Sequence, residues 1–210
     1  DFEIYKKWSN YFTNISKKQD PYIDDMNTIT ILPMAGKGSR FVKNGYTVPK
    51  PLIFFNNNIM CLNAIESIPQ SSSNIFICLN KHLQNTTLRK LISQKYPGSK
   101  IMGIDGVTSG QATTCFNGIK HFNIDPETPI LISACDNGVY YNTHTYTELV
   151  KDMKNDVIVW SFRNHQTSKI KPSMYAWLDV DEHGYVKHVS CKKFIYDDPL
   201  KTHAIVGTMF

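Results

Sequence analysis

The chain has 210 residues, 41% of them apolar and 20% charged, with 23 Lys and Arg against 18 Asp and Glu for a formal net charge of +5. That length buries a full core and suits one domain, the composition is that of an ordinary globular protein, and no apolar run approaches the length that crosses a bilayer, which excludes a membrane-spanning chain. The basic residues are dispersed, which excludes a clustered nucleic-acid-binding surface and leaves a mild bias toward phosphate-bearing ligands.

In chain order, Asp1 to Asp25 is polar and aromatic, with Trp8, Tyr11 and Phe12 among Lys6, Lys7, Lys17 and Lys18. It reads as the tail of an upstream module or as a packing helix, and residues 26–210 read as the main domain. Ile29 to Leu32 is a β-branched apolar run that predicts a buried strand. The spacing then predicts a helix over Met60 to Ile68 ended by Pro69, a strand over Asn74 to Leu79, and an amphipathic helix over Thr86 to Tyr96 closed by Pro97-Gly98. A strand over Lys100 to Ile104, a helix over Gln111 to Lys120 and a strand over Pro129 to Ser133 follow. Tyr146 to Lys154 reads as helix and Asp156 to Phe162 as strand. The alternation argues for βαβ units and a mostly parallel sheet covered on both faces. From Met174 the pattern changes to two alternating strands around Asp181-Glu-His-Gly184, a hairpin signal. Trp160 and Trp177 read as core. A last strand, Ala204 to Phe210, runs to the end of the sequence, so the chain is expected to be a piece of a longer protein.

Cys61, Cys78, Cys115, Cys135 and Cys191 are odd in number, widely spaced and set in apolar runs, the pattern of reduced thiols in a cytosol. His183, His188 and His203 share no metal-ligand spacing and read as surface or strand residues.

The most informative stretch is residues 34 to 52, Met-Ala-Gly-Lys-Gly-Ser-Arg-Phe-Val-Lys-Asn-Gly-Tyr-Thr-Val-Pro-Lys-Pro-Leu. A Gly-x-Gly-Ser-Arg loop leaves the C-terminal end of a buried strand, where open α/β sheets bind ligands. Gly36 and Gly38 let backbone amides approach an anion with no Cβ in the way. Arg40 can fork onto phosphate oxygens, and Lys50, between Pro49 and Pro51, adds a point charge on a stiff tether. The spacing is neither that of a P-loop nor that of the dinucleotide fingerprint. Farther on, Asp136 follows an apolar run directly, where a carboxylate either holds Mg²⁺ or caps the turn at Asn137-Gly138; the phosphate loop favours the metal. Gly106-Val-Thr-Ser-Gly-Gln-Ala-Thr-Thr114 runs from a turn into a helix. There Thr108 or Ser109 is expected to cap, and the amides with Gln111 either read a nucleobase edge or serve the helix alone.

The segment with Gly-x-Gly-Ser-Arg-Phe and Pro-Lys-Pro-Leu resembles the signature of the sugar-1-phosphate nucleotidyltransferases, the nucleoside-diphosphate-sugar pyrophosphorylases. It is most similar to the bacterial branch of capsule and surface-polysaccharide enzymes. The resemblance covers about Asn27 to Phe210 and implies a three-layer α/β/α Rossmann-like, GT-A-like fold with a small hairpin subregion. It also implies that Met34, Ala35, Gly36, Lys37, Gly38 and Ser39 hold a nucleotide, with Gly110, Gln111 and Ala112 against its base. Arg40 and Lys50 would be catalytic. Asp136 would bind Mg²⁺ with a second acidic ligand farther along. In Val189-Ser-Cys-Lys-Lys193, Lys192 matches the lysine that holds the phosphate of the second substrate, although Cys191 replaces the usual glutamate and Lys193 the usual proline. The implied reaction takes CTP or UTP and a small phosphorylated substrate. A metal-dependent glycosyltransferase has no use for either motif, and a non-catalytic module has no need of Arg40, Lys50 and Asp136 together.

Overall fold

Six β-branched and apolar residues, Ile29–Met34, form the first strand, β1, two residues longer than the apolar run that predicts it. The computed structural model describes residues 27–55, 57–84, 86–152 and 154–210; the leader read at 1–25 lies outside them. These residues form two compact units, one running through Asp156 and taking in Phe210, the other spanning Val157–Met209.

In the first unit, β1 is followed by α1 (Ser39–Lys43), a 3₁₀ turn (Lys50–Leu52), a small hairpin of β2 (Phe54–Phe55) and β3 (Asn58–Ile59), and α2 (Met60–Glu66). Next come β4 (Ser73–Leu79), α3 (Asn80–Leu83), α4 (Thr86–Lys95), β5 (Lys100–Ile104), α5 (Gln111–His121), β6 (Ile130–Ile132) and α6 (Thr143–Lys151). The strands lie in the order β5-β4-β1-β6 and all run parallel. The register runs from Ile29↔Ser73 to Met34↔Cys78 between β1 and β4, but only from Ile29↔Ile130 to Ile31↔Ile132 between β1 and β6. Side chains alternate across a strand, so each central strand faces two layers. On one face Ile31, Ile75 and Ile77 pack with Cys115 of α5. Gly118 brings α5 so near that a Cβ there would meet the Ile77 Cδ1 at 2.5 Å. On the alternate face Phe76, fully buried, meets the ring of Tyr96 just past α4, 6.4 Å between centroids. The expected α/β arrangement with a mostly parallel sheet is what the chain forms.

The second unit holds β7 (Val159–Phe162), α7 (Gln166–Ile170), a 3₁₀ turn (Pro172–Met174), β8 (Ala176–Val180), β9 (Val186–Cys191) and β10 (His203–Met209). Its strands lie in the order β7-β10-β8-β9 and are antiparallel. The hairpin read around Asp181 is present, and the Asp181 carboxylate closes it by accepting the amides of His183 and Tyr185 at 3.0 and 2.9 Å. β7 does not extend the run of parallel βαβ strands as its place in the alternation predicts; it pairs antiparallel with β10, Ala204 opposite Phe162. An apolar run carries no direction, and the partner decides it. Trp177 is fully buried against the rings of Tyr175 and Phe194, whereas Trp160 is half-buried. His183 and His188 are exposed, and His203 is half-buried with Nδ1 2.8 Å from the Ser161 hydroxyl.

Candidate functional site

The site begins with a proline inside a central strand. The Ile31 carbonyl accepts the Ser133 amide at 3.2 Å, so the Ile31 backbone faces β6. Pro33, two residues on, faces the same way and has no N–H to give. The β1–β6 ladder stops at Ile31↔Ile132, while β4 stays paired through Met34. The two strands part at their C-terminal ends. This is also where the sheet order reverses, β4 and β5 lying on one side of β1 and β6 on the other, the place where open α/β sheets bind ligands.

A cavity of about 270 Å³ fills that opening. Pro33, Ala35 and Gly36 line it from the end of β1, Val107, Thr108, Gly110, Gln111 and Thr114 from the β5–α5 loop and first turn of α5, and Ala134 and Cys135 from the segment after β6. Met34 is buried at the end of β1 and Ala112 is exposed on α5; neither lines it. The hydroxyls of the β5–α5 loop do not cap α5 as expected. The Thr108 Oγ1 lies 2.7 Å from the Gly110 carbonyl and 2.6 Å from the Thr114 Oγ1, and the Ser109 Oγ lies 2.8 Å from the Thr113 Oγ1. Gly110 is the cap residue and offers no side-chain cap. The entry of α5 meets the cavity at Gly110 and Gln111, and a helix N-terminus suits an acceptor-bearing ligand.

The Gly-rich loop follows β1 and is open to solvent: Gly36, Lys37, Ser39 and Arg40 are exposed. Gly38 adopts the left-handed conformation at φ 60°, and a Cβ there would stand 3.3 Å from that of Lys50. α1 starts at once, with the amides of Phe41 and Val42 donating to the Gly38 carbonyl. Lys50 returns the chain to the loop. Its Nζ lies 5.8 Å from the centroid of the Phe41 ring and 2.5 Å from the Asp136 Oδ2. Two sequence-predicted groups distant in the chain are thus in contact. Arg40 makes no ion pair among the described residues.

Burial determines what the cysteines can do. Cys61, Cys78, Cys115 and Cys135 are buried and Cys191 is exposed, all as free thiols. Burial pushes the Cys78 thiol up to about 12 and the Cys115 and Cys135 thiols up to about 11, and it drives Cys61 upward as well. Cys135 therefore meets the cavity as a neutral thiol, which excludes it as a nucleophile near neutral pH. Pro33, Thr114, Ala134 and Cys135 are site residues that sequence reasoning passes over. The proline after Leu32 was the available signal, since a central strand seldom carries one.

Lys192 belongs to the second unit. It follows β9, is exposed, and has φ 56°, with its amide donating to the Tyr175 carbonyl at 3.0 Å. Cys191 closes β9 beside it.

No protein-family model and no curated protein matches the sequence. Solved structures do resemble it. A nucleoside-diphosphate-sugar pyrophosphorylase from Vibrio cholerae RC9 superposes with a TM-score of 0.64 at 20% identity, over 86% of this chain and 71% of that one. The inositol-1-phosphate CTP transferase from T. maritima gives 0.64 at 12% identity, over 88% and 69%. HddC from Yersinia pseudotuberculosis gives 0.59 at 17% identity, over 88% and 76%. At these identities the likeness establishes the fold, a Rossmann-like α/β arrangement.

Proposed function

We propose that the chain is a nucleotidyltransferase, joining a nucleoside monophosphate from CTP or UTP to a small phosphorylated substrate and releasing pyrophosphate. The observation that carries this reading is the contact of Lys50 with Asp136 at the C-terminal edge of β1 and β6, beside a cavity shared by Gly36, Gly110 and Gln111. The fold likeness to a sugar pyrophosphorylase and to a CTP transferase of a non-sugar phosphate supports it.

The chemistry is in-line attack by a phosphate oxygen of the second substrate on the α-phosphorus of the triphosphate. That phosphate is already ionised at neutral pH, so no general base is needed, and catalysis rests on positioning and charge neutralisation. The exposed Gly36–Ser39 backbone cradles the phosphates. Arg40 stabilises the β- and γ-phosphates as they leave, and Lys50 neutralises charge near the α-phosphorus. Gly110 and Gln111 lie along the base, with Ala112 beside them on α5. Asp136 supplies the oxygen donors that Mg²⁺ prefers, and among the described residues no three His, Cys, Asp or Glu side chains are grouped to complete a shell. One carboxylate fits a Mg²⁺ that shares its coordination with nucleotide phosphates, and Mg²⁺ bound there would neutralise the phosphate charge. The acceptor is a phosphorylated sugar or another small phosphorylated polar compound. The product would be an activated precursor for surface polysaccharide.

The test is a thermal-shift screen of the four NTPs with Mg²⁺, followed by pyrophosphate release with sugar-1-phosphates and other small phosphorylated alcohols. A ligand at 100 times its dissociation constant adds about 2.7 kcal/mol to stability. CTP or UTP is expected to raise the melting temperature. No shift with any NTP, or cleavage of a nucleotide-sugar with no NTP required, overturns the reading.

A further inference from the structure

Lys50 is not a free cation waiting for phosphate. Its ammonium sits on Asp136 and near the Phe41 ring, its Cβ lies against Gly38, and only 22% of its side chain and 30% of that of Asp136 are exposed. The group assigned to the phosphates and the group assigned to the metal thus neutralise each other in the ligand-free chain.

We propose that Lys50 is a resident counter-cation for Asp136, and that nucleotide and its divalent ion bind by exchange. This rests on the nucleotidyltransferase reading. Asp136 gives up the ammonium for Mg²⁺, and Lys50 turns to the triphosphate. Neither half of the exchange is favourable alone. With nucleotide but no ion, Lys50 leaves a partly buried carboxylate unpaired beside a polyanion. With ion but no nucleotide, one carboxylate would have to trade an ammonium for a cation that needs six oxygens and dehydrates reluctantly. With both present, every charge is matched, so each ligand raises the affinity for the other by the same factor. Because Lys50 also faces Phe41 and abuts Gly38, its departure loosens the loop at the moment when the loop must close on phosphates.

The test is a double-mutant cycle read by calorimetric binding of CTP in EDTA, with UTP in parallel, on wild type, Asp136→Asn, Lys50→Met and the double variant. Melts establish that each variant folds, and Lys50→Gln replaces Lys50→Met if that one does not. Removing Asp136 frees Lys50, so Asp136→Asn is expected to bind metal-free CTP about fivefold tighter than wild type, the upper range for a solvent-accessible ion pair. In the Lys50→Met background, where only the repulsion by the unpaired carboxylate is removed, the same substitution should give a smaller gain. An equal gain in both backgrounds means that Asp136 merely repels phosphate and overturns the exchange, as does no gain in either. Failure of wild type to bind CTP or UTP even with Mg²⁺ removes the nucleotidyltransferase reading, and the exchange with it; loss of coupling with binding intact removes only the exchange.

Discussion

Gly38 carries two constraints in one residue. Its φ of 60° lies in the left-handed region, and its missing Cβ leaves room for Lys50 at 3.3 Å. An L side chain in that conformation costs about 1–2 kcal/mol, and here the neighbour must also yield. Gly38→Ala is therefore expected to lower stability by about that much in denaturant melts and to weaken nucleotide binding by displacing Lys50. Gly36 has nothing within 4 Å of a would-be Cβ and no left-handed φ, so Gly36→Ala should fold normally and lose binding alone. Arg40 separates function from stability most cleanly. It is exposed and unpaired among the described residues, so Arg40→Ala should change stability by no more than about 0.5 kcal/mol. Turnover, measured as pyrophosphate release, should fall on the order of 10²-fold, the scale for losing one preorganised donor to a transition state. Near-normal release would refute its role.

At the level of elements, α6 shows where reading a sequence falls short. The apolar spacing starts the helix at Tyr146, but the Asn142 side chain accepts the Thr145 amide at 2.9 Å and starts it at Thr143. Asn142→Ala should cost about 1 kcal/mol, the worth of an N-cap, and a melt with no change would show that α6 is held by packing of Tyr146 and Val150 instead. β1, β4 and α5 were legible to within two residues at each end because each turns a run of apolar residues to a buried face. α1, α3, α7 and the β2–β3 hairpin were not, since short elements with at most one buried residue carry no apolar pattern. The site divides in the same way. Gly36, Gly110 and Gln111 follow from chemistry written locally, and they share one cavity. The Lys50–Asp136 contact joins segments far apart in the chain that the β1–β6 pairing helps bring together, and no spacing encodes it. Pro33 was visible as a residue, but its effect depends on which neighbour its nitrogen faces.

Across the whole molecule, protons test both units in one titration. In the first unit His82 is 5% exposed, and its Nδ1 has no partner among the described residues. Burial, helped by the neighbouring Lys81 charge, holds its pKa below the ordinary 6.5. In the second unit burial and the Arg163 charge lower His203 in the same way. A depressed histidine pKa means that the unfolded chain takes up protons first as pH falls through about 6.5, so stability is lost on acidification and regained above that value. Asp181 acts in a separate, lower window: the Tyr185 amide leads in holding its carboxyl below the usual range, and that contribution disappears only as pH falls through the carboxylate range. Melting temperature should thus be flat from pH 8 to 7, fall between about 6.5 and 5, and fall again near 4. His82→Leu removes a ring whose nitrogen has no partner to abandon, so it should fold and should flatten the part of the first decline that belongs to residues through Asp156. His203→Asn should flatten the part that belongs to Val157–Met209. A decline between pH 6.5 and 5 that persists undiminished in both variants would show that neither imidazole is buried neutral.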